Sequence, residues 1–237
     1  MKTLSHALNR VLLLFSHNNI ADRERLAGVL SYAATRSDWD IRILDRSSAT
    51  YASDYLQTTK EWQPDAIICV ATGDYRKVLP VWSSPQVFKI KLEPPEDDDD
   101  SDADVAVRID AQALAMAVVD HFTERQYHHF AYYGTKAPEE AAYSSLGEHH
   151  FKSVLRKRRI DCSCFAEATG ASLSERLEQA TVWLNALPKP CAIWAYSDVL
   201  AHHLIDACRS ADVWNFSLAT SGDDQKGGAQ SVPRQVK

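Results

Sequence analysis

Glycine is scarce in this chain, with eight glycines among 237 residues. The two glycine-rich patterns that hold nucleotide phosphates, GxGxxG and GxxxxGK[ST], are both missing. The GxSxG turn of serine hydrolases and the HExxH helix of zinc proteases are missing as well. These absences argue against a nucleotide loop and the commonest hydrolytic sites. We therefore expect no enzyme, no cofactor and no metal centre.

Positively charged residues are fewer than negatively charged ones. The chain has 26 Lys and Arg and 32 Asp and Glu, which gives a net charge of −6. Such a balance argues against a nucleic-acid-binding surface. The five cysteines are odd in number and scattered, without a CxxC pair, as is typical of reduced, buried thiols in a cytosolic protein. The apolar run at residues 11–15 is too short for a signal peptide or a membrane span. We expect a cytoplasmic protein that contacts neither membrane nor nucleic acid directly.

What the sequence does contain is a regular alternation of apolar runs and helical periodicity. Strands are predicted at residues 10–16, 39–45, 66–70 and 86–92, with helices at 20–36, 51–62 and 75–82. After an acidic segment at 93–104, predicted to be a solvated loop, strands follow at 105–110, 129–134, 161–166, 191–196 and 216–220, and helices at 111–125, 139–158, 173–187 and 199–209. This order predicts an α/β fold with two parallel sheets flanked by helices and a cleft between two lobes. The predicted lobes are 10–109 and 110–222, and a loose tail follows at 223–237.

One acid stands out in this pattern. Asp198 follows the apolar run at residues 191–196 and precedes a helix. Open α/β sheets bind ligands at the carboxyl ends of their strands, so Asp198 is a candidate ligand contact. Aspartate is also a favoured helix N-cap, and this structural role remains an alternative.

Three longer stretches together resemble a known family. They read LLLFSHNNIADRERLAGVLSYA (12–33), VAVRIDAQALAMAVVDHFTERQYHHFAYYG (105–134) and WLNALPKPCAIWAYSDVLAHHLIDACR (183–209). The chain resembles, over residues 10–224, the ligand-binding half of xylose-operon regulators of the AraC class. The resemblance implies the two-lobed type I periplasmic-binding-protein fold, as used by LacI/GalR-type sensors, with the last elements of the first lobe missing.

The resemblance also implies a sugar site. In the family, acids at strand ends and an Asp-Arg pair in the first helix line the cleft. By motif these correspond to Asp22, Arg23, Asp74, Asp110, Asp198 and Asp223. Sugar hydroxyls donate to carboxylates while an arginine donates to sugar oxygens, so a pentose-like monosaccharide suits this set. Three positions depart from the family. Tyr143 and Gly147 stand where it carries Trp and Arg, and Ser221 stands where it carries Gly.

The family continues with more of the first lobe and two helix-turn-helix motifs that bind DNA. The resemblance therefore implies a C-terminally truncated regulator, by natural truncation or a shifted reading frame. Such a chain would act as a homodimer or as a mixed dimer with a full-length relative. Three alternatives stay open: a transport-type sugar-binding protein, an enzyme on a flavodoxin-like fold, and a non-functional remnant.

Overall fold

The computed structural model describes residues 9–16, 20–45, 61–70, 84–92, 100–138, 140–211, 215–220 and 234–235. The chain divides into two compact units, residues 1–109 and 110–237. Within the described ranges, no helix is both long enough and apolar enough to cross a membrane.

The first unit is built on a five-stranded parallel sheet. Its elements are β1 (Asn9–Phe15), α1 (Ile20–Ala33), β2 (Trp39–Asp45), β3 (Ala66–Val70), β4 (Phe88–Leu92) and β5 (Val105–Val107). The strand order is β2-β1-β3-β4-β5. Each neighbouring pair runs parallel, as crossover connections require.

β1 lies in the interior of the sheet, which explains the unbroken apolar run at residues 11–15. Leu12 and Leu14 pack on one face of the sheet against Trp62, whereas Leu13 and Phe15 pack on the other against Leu26 of α1. When both faces of a sheet are covered, side chains on both faces of its interior strands are buried, so polar and apolar residues do not alternate along the strand. In α1, Leu26 is buried whereas Leu30 is exposed.

The second unit repeats this plan. Its elements are α2 (Ala111–Glu124), β6 (His129–Thr135), α3 (Ala141–Lys157), β7 (Cys162–Glu167), α4 (Leu173–Ala186), β8 (Cys191–Ala195), α5 (Asp198–Ala211), β9 (Phe216–Thr220) and β10 (Arg234–Gln235). The order is β10-β9-β8-β6-β7, and all pairs are parallel except β10 with β9.

Two apolar layers enclose this second sheet. Tyr133 and Ile193 point to the layer formed with α4 and α5. Tyr132 and Trp194, one residue along each strand, point to the opposite layer formed with α2 and α3. The two-residue period of a strand thus sends neighbouring aromatic side chains into separate cores.

Several predicted boundaries need correction. The strand expected at 105–110 ends at Val107, because Asp110 caps α2. In the segment expected to be a loop, residues 100–102 form a 3-10 turn, and Asp102 pairs with the buried ammonium of Lys91. In the segment expected to be a loose tail, residues 234–235 pair with β9. The helix predicted at 75–82 lies outside the described residues, as does that at 51–62 except for its last two residues, which are helical.

Candidate ligand-binding residues

Asp198 lies in the first turn of α5, directly beyond the carboxyl end of β8. It does not cap the helix. Ser197 takes that place, because the backbone N–H of Leu200 donates to Ser197 Oγ at 3.4 Å and that of Ala201 to the Ser197 carbonyl at 2.9 Å. The capping interpretation of Asp198 is therefore wrong. Its side chain is exposed, and its carboxylate has no partner in the described part of the chain.

Asp110 has a capping role of its own. Its Oδ1 accepts a hydrogen bond from the backbone N–H of Ala113 at 2.8 Å, which satisfies a free donor at the start of α2. The second oxygen, Oδ2, has no partner among the described residues. One oxygen of Asp110 thus fixes the helix, and the other can accept from a ligand.

Among the predicted site residues that the structure describes, Asp22 is the most deeply buried, at 1% exposure. Its Oδ2 accepts from the backbone N–H of Ser16 at 2.8 Å, and its Oδ1 accepts from the Arg25 guanidinium at 3.0 Å. Asp22 therefore ties the start of α1 to the residue that follows β1. Its neighbour Arg23 is exposed.

The other two predicted residues, Asp74 and Asp223, lie outside the described residues. The two predicted site acids that the structure describes in the second unit, Asp110 and Asp198, are not hydrogen-bonded to each other. No group of three or more His, Cys, Asp or Glu suited to a metal ion occurs in the described ranges.

Sequence reasoning missed a buried acid at the carboxyl end of β7. Glu167 is 3% exposed and receives three side-chain contacts. Tyr133 Oη donates to its Oε1 at 2.7 Å, His203 Nδ1 lies 2.8 Å from the same oxygen, and Arg176 lies 3.3 Å from Oε2. Glu167 thus links side chains of β6, α4 and α5.

The surroundings of Tyr133 favour the protonated form of its phenol. Burial, together with its hydrogen bond to Glu167, raises the pKa of the Tyr133 phenol. The phenol therefore stays neutral and donates to the buried carboxylate. The signal that could have found Glu167 is the one used for Asp198, an acid at the end of an apolar run, but the predicted strand stopped at residue 166.

The departure at Gly147 has a steric cause. A Cβ added to Gly147 would lie 2.8 Å from Tyr132 Oη. That hydroxyl donates to the Ser144 carbonyl one turn earlier in α3, at 2.8 Å. Because the phenol of Tyr132 occupies the space above residue 147, α3 needs a glycine there, and no side chain projects from this position.

Comparison with known proteins supports the same fold. Residues 119–233, just under half of the chain, match the family model described as "Periplasmic binding protein-like domain". No curated protein matches the chain by sequence.

Solved structures with this architecture include regulators and transport proteins. A xylose-binding transcription activator superposes with a TM-score of 0.72 at 20% identity, covering 89% of this chain and 53% of that one. This chain therefore spans about half the length of that activator. A LacI family regulator from Arthrobacter sp., in complex with lactose, gives 0.67 at 16% identity and covers 92% and 84% of the two chains.

The binding component of an arabinose ABC transporter from Shewanella sp., bound to arabinofuranose, gives a TM-score of 0.66 at 14% identity. It covers 89% of this chain and 73% of that one. These similarities confirm the predicted fold class: an α/β, type I periplasmic-binding-protein-like fold with parallel sheets flanked by helices.

Proposed function

We propose that this chain is the carbohydrate-sensing, effector-binding domain of a transcription regulator of the xylose-regulator type in the AraC class. The observation that carries the proposal is the exposed carboxylate of Asp198 at the carboxyl end of β8, which has no partner among the residues that the structure describes. In open α/β sheets this edge is where ligands bind. A carboxylate without an internal partner is available to accept from a sugar hydroxyl.

The proposal gives the predicted residues different roles. Asp198 and the free oxygen of Asp110 accept from hydroxyls of a pentose-like monosaccharide, and the Arg23 guanidinium donates to a sugar oxygen. Asp22, whose two oxygens already have partners, holds the end of β1 and the start of α1 in place for Arg23. Asp74 and Asp223 are proposed as further contacts on the strength of the sequence resemblance.

As a regulator domain, the protein would work in the cytoplasm. It would act as a homodimer or as a mixed dimer with a relative that carries DNA-binding motifs. Sugar binding would favour one arrangement of that dimer over another. Its role would be binding rather than catalysis.

Thermal unfolding in the presence of a panel of aldoses tests the proposal, with D-xylose included. A ligand present at about 100 times its dissociation constant stabilises the protein by about 2.7 kcal/mol. We expect a selective rise in melting temperature for one sugar. A cooperative transition that no sugar moves would contradict the proposal.

Two variants of α5 sharpen this test. Asp198→Asn keeps the shape of a side chain that contacts no partner in the described ranges, so we expect unchanged stability without sugar and a loss of the sugar-induced shift. Asp206→Asn is the matched control, because Asp206 is also an exposed acid of α5 and pairs with Arg209 of the same helix, at 3.5 Å. It should retain the full shift.

A second candidate function is sugar binding for transport. The similarity to the arabinose-transporter component favours it, since that protein is built on the same fold. Both functions predict the same sugar-induced shift, so the cellular compartment separates them. Recovery of the chain from the cytoplasmic fraction supports the regulator, and recovery from an exported fraction supports the transport protein.

A further inference from the structure

Two cysteines of β7 stand apart from the other described thiols. Cys162 and Cys164 lie two residues apart on the strand, so their side chains project from the same face. Their sulfur atoms are 3.6 Å apart. Both side chains are half-buried, at the margin of the layer that β7 shares with α3.

The remaining cysteines are far less accessible. Cys69, Cys191 and Cys208 are 0%, 1% and 4% exposed. Burial raises the pKa of the Cys191 thiol to about 12 and that of Cys208 to about 11. Since the thiolate is the reactive form, these buried thiols are expected to be inert near neutral pH.

The position of β7 in the sheet makes the pair easier to modify. β7 pairs with β6 on one side and has no second neighbour among the described strands. A local change in β7 therefore disturbs one ladder of hydrogen bonds rather than two. Cys162 and Cys164 therefore lie on an edge strand of the described sheet.

A charged pair on α3 completes the surroundings. The Lys152 ammonium lies 3.2 Å from Glu148 Oε1, and it lowers the pKa of the Cys162 thiol, whereas burial and the Glu148 carboxylate raise it. A positive charge beside a thiol stabilises its thiolate. The contact with the Cys164 sulfur, together with burial, raises the pKa of the Cys162 thiol.

We propose that Cys162 and Cys164 form a redox-active dithiol, which a low-molecular-weight disulfide such as oxidised glutathione converts to an intramolecular disulfide. One thiol of the pair, as its thiolate, attacks a sulfur of the oxidant, forms a mixed disulfide and releases one thiolate. The other thiol then gives up its proton and attacks the protein sulfur of the mixed disulfide, which releases the second thiol. One dithiol is oxidised and one disulfide is reduced to two thiols.

The geometry suits a labile bond better than a permanent one. Residues two apart on a strand have Cα atoms about 6.4–6.8 Å apart, from a rise of about 3.2–3.4 Å per residue. Disulfides span Cα separations of about 4.4–6.8 Å, so this pair lies at the upper limit. Closing the sulfurs from 3.6 Å to bonding distance must therefore pucker β7. A strained disulfide is readily reduced, as suits reversible oxidation.

Mass spectrometry of the full chain, incubated with a graded ratio of oxidised to reduced glutathione and then alkylated, tests the proposal. Trypsin cleavage after Arg159 and Arg176 places both cysteines in one peptide, residues 160–176. We expect this peptide to lose two hydrogens and to escape alkylation. Reduction should restore it, while the peptides holding Cys69, Cys191 and Cys208 stay alkylatable after unfolding.

Single variants test the order of events. In Cys162→Ser and in Cys164→Ser the second step cannot occur, so a stable glutathione adduct on the remaining cysteine of the pair should accumulate in each variant. Lys152→Gln should slow oxidation of the wild-type pair a few-fold, whereas Lys157→Gln, an exposed lysine at the end of the same helix, should not.

Three results would overturn the proposal. The first is a peptide 160–176 that keeps both hydrogens at every glutathione ratio. The second is a crosslink from this peptide to another cysteine peptide. The third is a glutathione adduct that persists on the wild-type chain without resolving to the internal disulfide.

Discussion

At the scale of single residues, Gly147 is the position whose substitution the structure defines most sharply. Replacing Gly147 with Ala places a methyl group 2.8 Å from Tyr132 Oη. Tyr132 cannot retreat, since its ring is fully buried and packs edge-on to Trp194, with ring centroids 5.4 Å apart. We expect a loss of about 1–3 kcal/mol, typical of overpacking, in the free energy of unfolding measured with urea.

Two further variants identify the cause. Gly28→Ala, in the interior of α1 with nothing within 4 Å of its added Cβ, should stabilise the protein by about 0.5–1 kcal/mol. In a Tyr132→Phe background the nearest ring atom to the new methyl, Cζ, is 3.6 Å away, so Gly147→Ala should cost much less there. An equal cost in both backgrounds would show that the hydroxyl is not responsible.

The same scale shows where sequence reasoning about the site stops. The place of Asp198 beyond β8 could be predicted, since an acid after a buried run is a local signal. The role of Asp22 could not, because it depends on contacts with Ser16 and Arg25 that follow from how the chain turns after β1. The role of Glu167 was missed for a similar reason, because its partners come from β6, α4 and α5.

At the scale of elements, α4 has the clearest start signal. Ser172 Oγ accepts from the backbone N–H of Glu175 at 3.3 Å, and the Glu175 carboxylate accepts from the backbone N–H of Ser172 at 2.7 Å. This reciprocal capping box satisfies two donors that the helix cannot satisfy internally. Ser172→Ala should therefore cost about 1 kcal/mol of unfolding free energy.

Ser174→Ala is the matched control, an exposed serine of the same first turn. It should change stability by less than about 0.5 kcal/mol. Urea unfolding of both variants makes the comparison, and an equal effect would exclude a special role for the cap.

Some elements with strong local signals were predicted with both ends correct, whereas others differ from the prediction at their ends. β3 at Ala66–Val70 and β9 at Phe216–Thr220 match the prediction. α5 starts one residue before its predicted start, since Ser197 rather than Asp198 caps it. The strand at residues 234–235 has no local signal at all, because its pairing with β9 joins segments far apart in sequence.

At the scale of the whole molecule, the two units differ in the chemistry of their described cores. The second unit buries two tyrosines side by side in sequence, Tyr132 and Tyr133, whereas the described tyrosine of the first unit, Tyr32, is 55% exposed. Tyr132 and Tyr133 are neighbours on β6. The Tyr132 phenol donates to the Ser144 carbonyl, and the Tyr133 phenol donates to Glu167. The second unit therefore depends on two neutral phenols.

This dependence predicts a loss of stability in alkali. Burial raises the pKa of Tyr132, and burial with the hydrogen bond to Glu167 raises that of Tyr133, above the ordinary value of about 10. The stabilisation is complete below about pH 10, where folded and unfolded phenols both keep their protons. Above that pH the unfolded chain loses protons that the folded chain retains, so the free energy of unfolding falls.

The urea midpoint at about pH 9 and about pH 11 measures this fall, since it reports the linkage directly. Tyr132→Phe removes one buried phenol, so the variant should be less stable than the wild type at the lower pH and yet lose less between the two. Tyr32→Phe, at an exposed position, should lose as much as the wild type. If Tyr132→Phe and the wild type lose the same stability, proton release from the buried phenol is not what limits the fold in alkali.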